Sequence, residues 1–132
     1  MGKSASELVE AAKASIESVT PDQLAAELAS GEVVVVDIRD SKEREEGGCI
    51  PGSIHVPRVA LEFAADPTSP FSNARLQPER RVVLHCTFGL GSALATARLQ
   101  EMGYGAAANL EGGYKAWVAS GNQVEHPAPA GG

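Results

Sequence analysis

Basic residues, cysteines and long hydrophobic runs are scarce in this sequence. Its 132 residues include 11 Lys or Arg against 17 Asp or Glu, which gives a net charge of −6 and a pI of about 5.0. Because nucleic acids and anionic membranes attract clustered Lys and Arg, we expect neither to be a partner. No stretch approaches the roughly 20 apolar residues that a membrane-spanning helix requires.

The beginning of the chain also lacks the pattern of a secretory signal. Such a signal has a basic start and an uninterrupted apolar core, whereas three glutamates interrupt the apolar pattern of residues 1–19. We therefore expect a cytoplasmic protein whose two cysteines, Cys49 and Cys86, are free thiols and not a disulfide. The spacing of these cysteines and of the 3 histidines matches no metal site.

The size and composition of the chain fit one globular domain. At 13.7 kDa, with 43% hydrophobic and 21% charged residues, the chain is large enough to bury a core without disulfides. Residues 4–19 have apolar positions at helical spacing, which predicts an N-terminal helical extension over residues 1–19. The domain itself is expected to span residues 20–122, and residues 123–132 are expected to form a flexible tail.

Strands and helices are predicted to alternate along the domain. Residues 33–37 (VVVVD) and 80–86 (RRVVLHC) contain continuous apolar runs, as in strands that are buried on both faces. Shorter strands are predicted at 53–57 and 106–110, and helices at 20–31, 40–47, 59–65, 92–104 and 112–121. This order predicts an α/β fold, with a mostly parallel central sheet and helices on both of its faces.

The segment HCTFGLGS, residues 85–92, joins the second buried strand to a helix. Ligands bind at the carboxyl ends of strands in parallel sheets, and Cys86 stands at such an end. A tight loop with Gly89 and Gly91 can direct several backbone N–H groups at one point, where they would lower the pKa of a thiol. Ser92 is positioned to cap the following helix. We infer a nucleophilic thiolate at Cys86; the alternative is a cysteine that is simply buried in the core.

The histidines are not predicted to act in catalysis. Neighbouring residues of a strand point to opposite faces, so His85 should not contact Cys86 and is expected to be structural. His55 and His126 are expected to lie at the surface or in turns.

Three segments of the sequence together resemble one family. They are VVVVDIRDSKEREEGGCIPGSIHVP at 33–57, HCTFGLGSA at 85–93 and NLEGGYKAW at 109–117. They are similar, in order, to D-x-R followed by G-H-I-P-G-A and a proline, to C-x-x-G-x-R-S, and to L-x-G-G-aromatic-x-x-W. These are motifs of the single-domain rhodaneses, or thiosulfate sulfurtransferases, and the resemblance covers residues 20–122.

The resemblance implies a sulfur-transfer reaction at Cys86. The cysteine would take a sulfane sulfur from thiosulfate or a persulfide, become a persulfide itself, and pass the sulfur to a thiol, to cyanide or to a protein acceptor. No cofactor would be required. The substrate-binding loop would consist of Thr87, Phe88, Gly89, Leu90, Gly91 and Ser92.

The sequence departs from the family motifs at two positions. Gly91 stands where the active-loop motif has Arg, which removes a guanidinium that could hold an anionic donor and so disfavours thiosulfate. Arg58 is a candidate for the missing charge, the alternative being a solvated surface arginine. Cys49 stands where the family has His, and it is either a plain loop thiol or a thiol that resolves the Cys86 persulfide as a disulfide.

Four further residues are expected to shape the site. Asp37 and Arg39 match the D-x-R motif, and the resemblance implies an ion pair that orders the neighbouring loops. Gly112 and Gly113 are expected to let their backbone approach the active loop. The plainer interpretation, a turn that opens the last helix, is compatible with this role.

Three other functions compete with the sulfurtransferase hypothesis. Cysteine-dependent phosphatases and arsenate reductases have a C-x5-R loop, but Ser92 occupies the arginine position here. A rhodanese-like binding or regulatory module would not need Cys86 for its function. A persulfide relay would pass sulfur to another protein, and the acidic chain suits a basic partner.

Overall fold

A computed structural model of the chain describes residues 2–127, which contain five strands and six α-helices. The helices are α1 (Ala5–Ser15), α2 (Pro21–Ser30), α3 (Ser41–Gly47), α4 (Leu61–Ala65), α5 (Gly91–Glu101) and α6 (Gly113–Ala119). The strands are β1 (Glu17–Val19), β2 (Val33–Asp37), β3 (Ile54–His55), β4 (Arg81–His85) and β5 (Ala107–Leu110), and a short 3-10 helix (Arg58–Ala60) precedes α4. Within residues 2–127, no helix has both the length and the apolar character needed to cross a membrane.

All five strands lie parallel in one sheet, in the order β1-β5-β4-β2-β3. The strand β4 is central, and it pairs with β2 along its whole length, from Val33 opposite Arg81 to Asp37 opposite His85. Parallel neighbours require crossover connections, which the helices provide. The predicted α/β fold with a parallel central sheet is confirmed, and Cys86 directly follows its central strand.

Alternating side chains of the sheet build a core on each of its faces, because successive residues of a strand point to opposite sides. On one face, Leu84 of β4 packs in a cluster with the fully buried Leu99 of α5. On the other face, Val83 packs in a second cluster with Leu24 of α2 and Trp117 of α6. The predicted placement of helices on both faces is therefore confirmed.

The first strand replaces the end of a predicted helix. A capping box at Ser4 starts α1, but the helix ends at Ser15 and not at residue 19. Residues Glu17–Val19 instead extend the sheet, with Val19 opposite Leu110 of β5. The prediction of one helix over residues 4–19 is wrong, because a three-residue strand is too short to show its own period. Pairing with the edge of β5 decides the conformation of these residues.

The first residues of the predicted tail are attached to the domain. Glu125 and Cys49 exchange backbone hydrogen bonds of 2.8 and 2.9 Å. The indole Nε1–H of Trp117 donates a 2.8 Å hydrogen bond to the carbonyl oxygen of Gln123. The predicted start of a flexible tail at residue 123 is therefore too early. Residues 128–132 of that tail lie outside the described residues.

Two alanine variants test the strand assignment of residues 17–19. Val19 is 4% exposed and packs with Leu24 and Leu110, whereas Ser18 is exposed. We expect Val19→Ala to lower the free energy of unfolding by about 2 kcal/mol, because two buried methyl groups are lost. Ser18→Ala should change it by less than about 0.5 kcal/mol. Urea denaturation measures both, and equal effects would contradict the strand.

Candidate active site

Cys86 lies at the carboxyl edge of the sheet, immediately after the last residue of β4. The strand β2 ends at the same edge, because Asp37 and His85 are register partners. Residues 87–90 form a loop, and α5 begins at Gly91. The partly buried thiol of Cys86 therefore sits where this loop meets the positive end of the α5 helix dipole.

Hydrogen bonds hold the sulfur of Cys86 at the start of α5. The backbone N–H of Ser92 donates to Sγ at 3.3 Å, and the thiol donates to Ser92 Oγ, also at 3.3 Å. Burial alone would raise the pKa of this thiol, but hydrogen bonds from the Ser92 hydroxyl and from the backbone N–H groups of Ser92, Gly89 and Phe88 outweigh it. The pKa of Cys86 is therefore lowered, which increases the thiolate fraction at neutral pH.

The role predicted for Ser92 as a helix cap is wrong. Leu90 occupies the cap position without a side-chain hydrogen bond, and Ser92 is the second residue of α5, fully buried. Its hydroxyl donates a 2.6 Å hydrogen bond to Asn109 Oδ1 and accepts the hydrogen bond from the Cys86 thiol. Ser92 thus belongs to the sulfur site and not to the helix terminus.

Asn109 is a component of the site that sequence reasoning missed. This fully buried side chain in β5 accepts from Ser92 Oγ, and its Nδ2 donates to the carbonyl of Gly89 at 3.1 Å. The two hydrogen bonds fix the amide orientation, so the Ser92 hydroxyl must turn from Asn109 to Sγ when it donates to the thiolate. The sequence does contain one indication of this role, since Asn109 is a single amide side chain within an otherwise apolar strand.

The backbone at Gly113 packs against the active loop. A Cβ atom at this position would lie only 2.6 Å from the carbonyl oxygens of Cys86 and Thr87, and the φ angle of Gly113 is +64°. The same two carbonyl oxygens accept hydrogen bonds from the backbone N–H groups of Tyr114 (2.8 Å) and Lys115 (3.0 Å). Only glycine combines this conformation with this close approach.

Gly89 and Gly112 meet on the other side of this contact. Gly89 has a φ angle of +83°, and a Cβ there would lie 3.0 Å from the backbone nitrogen of Gly112. Gly112 has a φ angle of +76° and stands just before α6. Both interpretations from the sequence therefore hold, since the Gly112–Gly113 pair opens the last helix and also approaches the active loop.

A buried ion pair lies beneath the loop, as expected for the D-x-R residues. The guanidinium of Arg39 donates to both carboxylate oxygens of Asp37, at 3.0 and 2.8 Å, and to the carbonyl of Gly48 at 2.8 Å. Arg44 adds a 3.1 Å ion pair to the same carboxylate. Burial would raise the pKa of Asp37, but the hydrogen bonds and the charge of Arg39 outweigh it and lower the pKa, so the carboxylate stays ionised.

His85 is buried away from the sulfur. Its Nδ1 lies 3.2 Å from the carbonyl oxygen of Cys86, and its ring stacks on Tyr114. Its Nε2 lies 3.9 Å from Asp37 and has no hydrogen-bond partner within residues 2–127. Burial is the main cause that lowers the pKa of His85 to about 4. The ring is therefore neutral at physiological pH, and the predicted separation of His85 from the Cys86 thiol is confirmed.

His55 has a partner that the sequence did not indicate. Its Nε2 lies 2.6 Å from the carbonyl oxygen of Arg39. The part-buried ring thus contacts the loop that follows β2.

Arg58 and Cys49 are engaged in contacts of their own. The guanidinium of Arg58 donates to both carboxylate oxygens of Glu62, at 2.8 and 3.3 Å, so its charge is already paired. Cys49 is fully buried, and burial raises the pKa of its thiol. A role for Arg58 toward a donor, and for Cys49 toward Cys86, stays a prediction.

The mouth of the site is apolar. Phe88 and Leu90 are 58% and 51% exposed, and Thr87 donates a 3.2 Å hydrogen bond to Glu43 of α3. A Cβ at Gly91 would meet Cys86 Sγ at 3.9 Å, an ordinary contact distance. The loop from residue 86 to residue 92 carries no basic side chain.

Among residues 2–127, no group of three or more His, Cys, Asp or Glu could hold a metal ion.

A thiol that accepts hydrogen bonds from backbone N–H groups at the carboxyl edge of a parallel sheet is stabilised when it carries a negative charge. The sequence identifies the family of the domain. The model of the rhodanese-like domain family matches residues 20–120, and the chain belongs to this family. The resemblance seen in the three sequence segments is thereby confirmed.

Three similar proteins are described below, and two of them are sulfurtransferases. A structure from Rhodopseudomonas palustris, described as a protein of unknown function and possible tyrosine phosphatase, is 39% identical with a TM-score of 0.89, covering 95% of this chain and 96% of that one. The human thiosulfate:glutathione sulfurtransferase is 30% identical over 76% of this chain and 92% of its own. The structure of a human single-domain sulfurtransferase is 29% identical with a TM-score of 0.69, and the match covers 77% of this chain and 95% of that one.

Two variants of α5 test how Ser92 acts on the sulfur. Ser92→Ala and Thr96→Val each remove one buried hydroxyl, but Thr96 donates to the carbonyl of Ser92 and not to Cys86. Because the Ser92 hydroxyl stabilises the thiolate, we expect Ser92→Ala to raise the pKa of Cys86 and to slow its alkylation at neutral pH several-fold. Thr96→Val should leave the pH midpoint unchanged. The pH dependence of iodoacetamide alkylation measures both, and equal midpoints in all three proteins would refute the role.

Proposed function

We propose that this protein is a sulfurtransferase that carries a sulfane sulfur on Cys86 as a persulfide. The observation that supports this best is the environment of Sγ, where a lowered thiol pKa coincides with donation from Ser92 and from the N–H groups of Phe88 and Gly89. Such donors stabilise a thiolate before the reaction and a persulfide anion after it.

The first half-reaction loads the cysteine. The thiolate of Cys86 attacks the sulfane sulfur of the donor, an S–S bond forms, and the bond from that sulfur to the rest of the donor breaks. Its electron pair leaves with the donor fragment, which is sulfite in the case of thiosulfate and a thiolate in the case of a persulfide. In the second half-reaction, cyanide or the thiolate form of a small-molecule or protein thiol attacks the terminal sulfur, and the S–S bond breaks with its electron pair leaving on Cys86 as the thiolate.

No general base is needed for this chemistry. The attacking species is the thiolate form of Cys86, whose fraction the loop donors increase, and each half-reaction ends with an anion in the same loop. This agrees with the position of His85, whose ring is fully buried and has a pKa of about 4. The proposal therefore requires from the protein only the loop donors and access to Sγ.

Phosphate-ester hydrolysis is less well supported. The Rhodopseudomonas palustris relative is described as a possible tyrosine phosphatase, and such chemistry needs a cation to hold the phosphoryl oxygens. The arginine position of a C-x5-R loop is Ser92 here, and its hydroxyl is bound to Asn109. A persulfide anion, with a single negative charge, requires less compensation than a phosphate dianion.

The loading of Cys86 is the central prediction. After reduced protein is treated with thiosulfate or with glutathione persulfide, intact mass spectrometry should show the addition of one sulfur atom, which cyanide then removes as thiocyanate. Cys49→Ser should load as the parent protein does, because Cys49 is fully buried, and Cys86→Ser should not load. A folded protein whose Cys86 accepts sulfur from neither donor would favour a binding module instead.

A substitution at Gly91 tests the choice of donor. Gly91 does not have a positive φ angle, and a Cβ would have only Cys86 Sγ within 4 Å, so a side chain fits there. We expect Gly91→Arg to raise kcat/KM for thiosulfate by about tenfold, through a charge-assisted hydrogen bond to the dianion. Gly91→Gln supplies similar bulk without charge and should not. Equal rates for both variants would contradict an electrostatic origin.

A further inference from the structure

A groove runs between α1 and the start of α5, beside the active loop. Its volume is about 350 Å³, which is within the range of small-ligand sites. We call it the α1 groove, and it is lined by Ala5, Ser6, Val9, Leu90, Gly91 and Leu94.

The α1 groove adjoins the sulfur site at Gly91. This residue lines the groove, and the position that its Cβ would take is 3.9 Å from Cys86 Sγ. A molecule whose reacting atom is in contact with Sγ can therefore extend past Gly91 into the groove. No side chain at Gly91 blocks this direction.

The lining of the α1 groove is apolar and uncharged. Its only polar side chain is the hydroxyl of Ser6, and the side chains of Val9, Leu90 and Leu94 form its walls. The neighbouring depression between the same two helices is different, because Arg58, Arg98 and Glu101 line it. An inorganic dianion would find no counter-charge in the α1 groove, whereas a hydrocarbon group would lose water-exposed surface there.

One wall of the α1 groove comes from outside the region that the family model matches. The family match covers residues 20–120, and α1 spans Ala5–Ser15. This helix packs against α5, with Ala12 buried. The groove is thus a property of this chain's N-terminal segment together with the glycine at position 91.

We propose that the α1 groove binds the apolar organic group R of a sulfur donor of the type R–SO2–S⁻ or R–S–S⁻. This inference rests on the proposed sulfurtransferase function and specifies its substrate class. The Cys86 thiolate attacks the terminal sulfur and forms the S–S bond of the persulfide. The bond between that sulfur and the donor breaks, and its electron pair leaves with R–SO2⁻ or R–S⁻, while R stays in the groove.

A pair of thiosulfonate anions tests the proposal. Methanethiosulfonate and benzenethiosulfonate present the same reacting group with a small or a large apolar R, and cyanide serves as acceptor. To correct for the intrinsic reactivity of each donor, its kcat/KM with the enzyme is divided by its rate of reaction with free glutathione. The corrected kcat/KM should be at least about tenfold higher for benzenethiosulfonate than for methanethiosulfonate. A second arm compares tert-butyl persulfide with the polar glutathione persulfide, and it shows whether the preference extends to donors of the R–S–S⁻ type.

Matched variants of α1 locate the preference. Val9 lines the α1 groove, while the adjacent and 46% exposed Leu8 lines the neighbouring depression. We expect Val9→Asn to abolish the preference for benzenethiosulfonate and Leu8→Asn to retain it. Ala5→Leu, which fills the groove from an exposed helix position, should also abolish it, and circular dichroism confirms that each variant is folded.

The outcomes separate the two levels of the proposal. If intact mass spectrometry shows that both thiosulfonates load Cys86 at equal corrected rates, the α1 groove has no role and the sulfurtransferase function stands. The same conclusion follows if Val9→Asn and Leu8→Asn behave alike. If no donor loads Cys86, the sulfurtransferase function itself fails, and the assignment of the groove fails with it.

Discussion

The contact of Gly113 with the active loop is the constraint on which the site depends. The carbonyl oxygens of Cys86 and Thr87 point toward the start of α6, where Tyr114 and Lys115 donate to them. In a trans peptide the N–H points opposite to the C=O. The N–H of Phe88 therefore points to the other side, toward the sulfur. Holding the Thr87 carbonyl outward thus turns the Phe88 donor inward, and any side chain at Gly113 would push the two backbones apart.

A second layer connects this contact to the rest of the sheet. Tyr114, whose N–H binds the Cys86 carbonyl, stacks on His85 and lies 4.2 Å beneath the guanidinium of Arg39. Its hydroxyl donates a 2.8 Å hydrogen bond to the carbonyl of Gly47 at the end of α3. Asp37 pairs with the buried Arg39, so neither of these two buried charges lacks a partner. Polar contacts of Tyr114, Arg39 and Asp37 therefore lie beneath the loop and fix its position.

The sequence predicted those parts that depend on local signals. Continuous apolar runs indicated β2 and β4, and the glycines near Cys86 indicated the loop. It did not predict β1, whose conformation is decided by pairing with β5 across the chain. It also assigned Ser92 to a helix cap and missed Asn109, because the hydrogen bond between them joins residues 17 positions apart. Contacts between distant segments carry no pattern that a single sequence displays.

The N-terminal segment has a consequence for how relatives of this protein are compared. A chain shortened to residues 20–120, the region of the family match, would lack both β1 and α1. The edge of β5 would then lose its partner, and exposed strand edges are sites where chains associate. One wall of the α1 groove would also be removed. Two proteins with the same active loop can therefore admit different molecules to the same sulfur, through a segment that a comparison of the shared region leaves out.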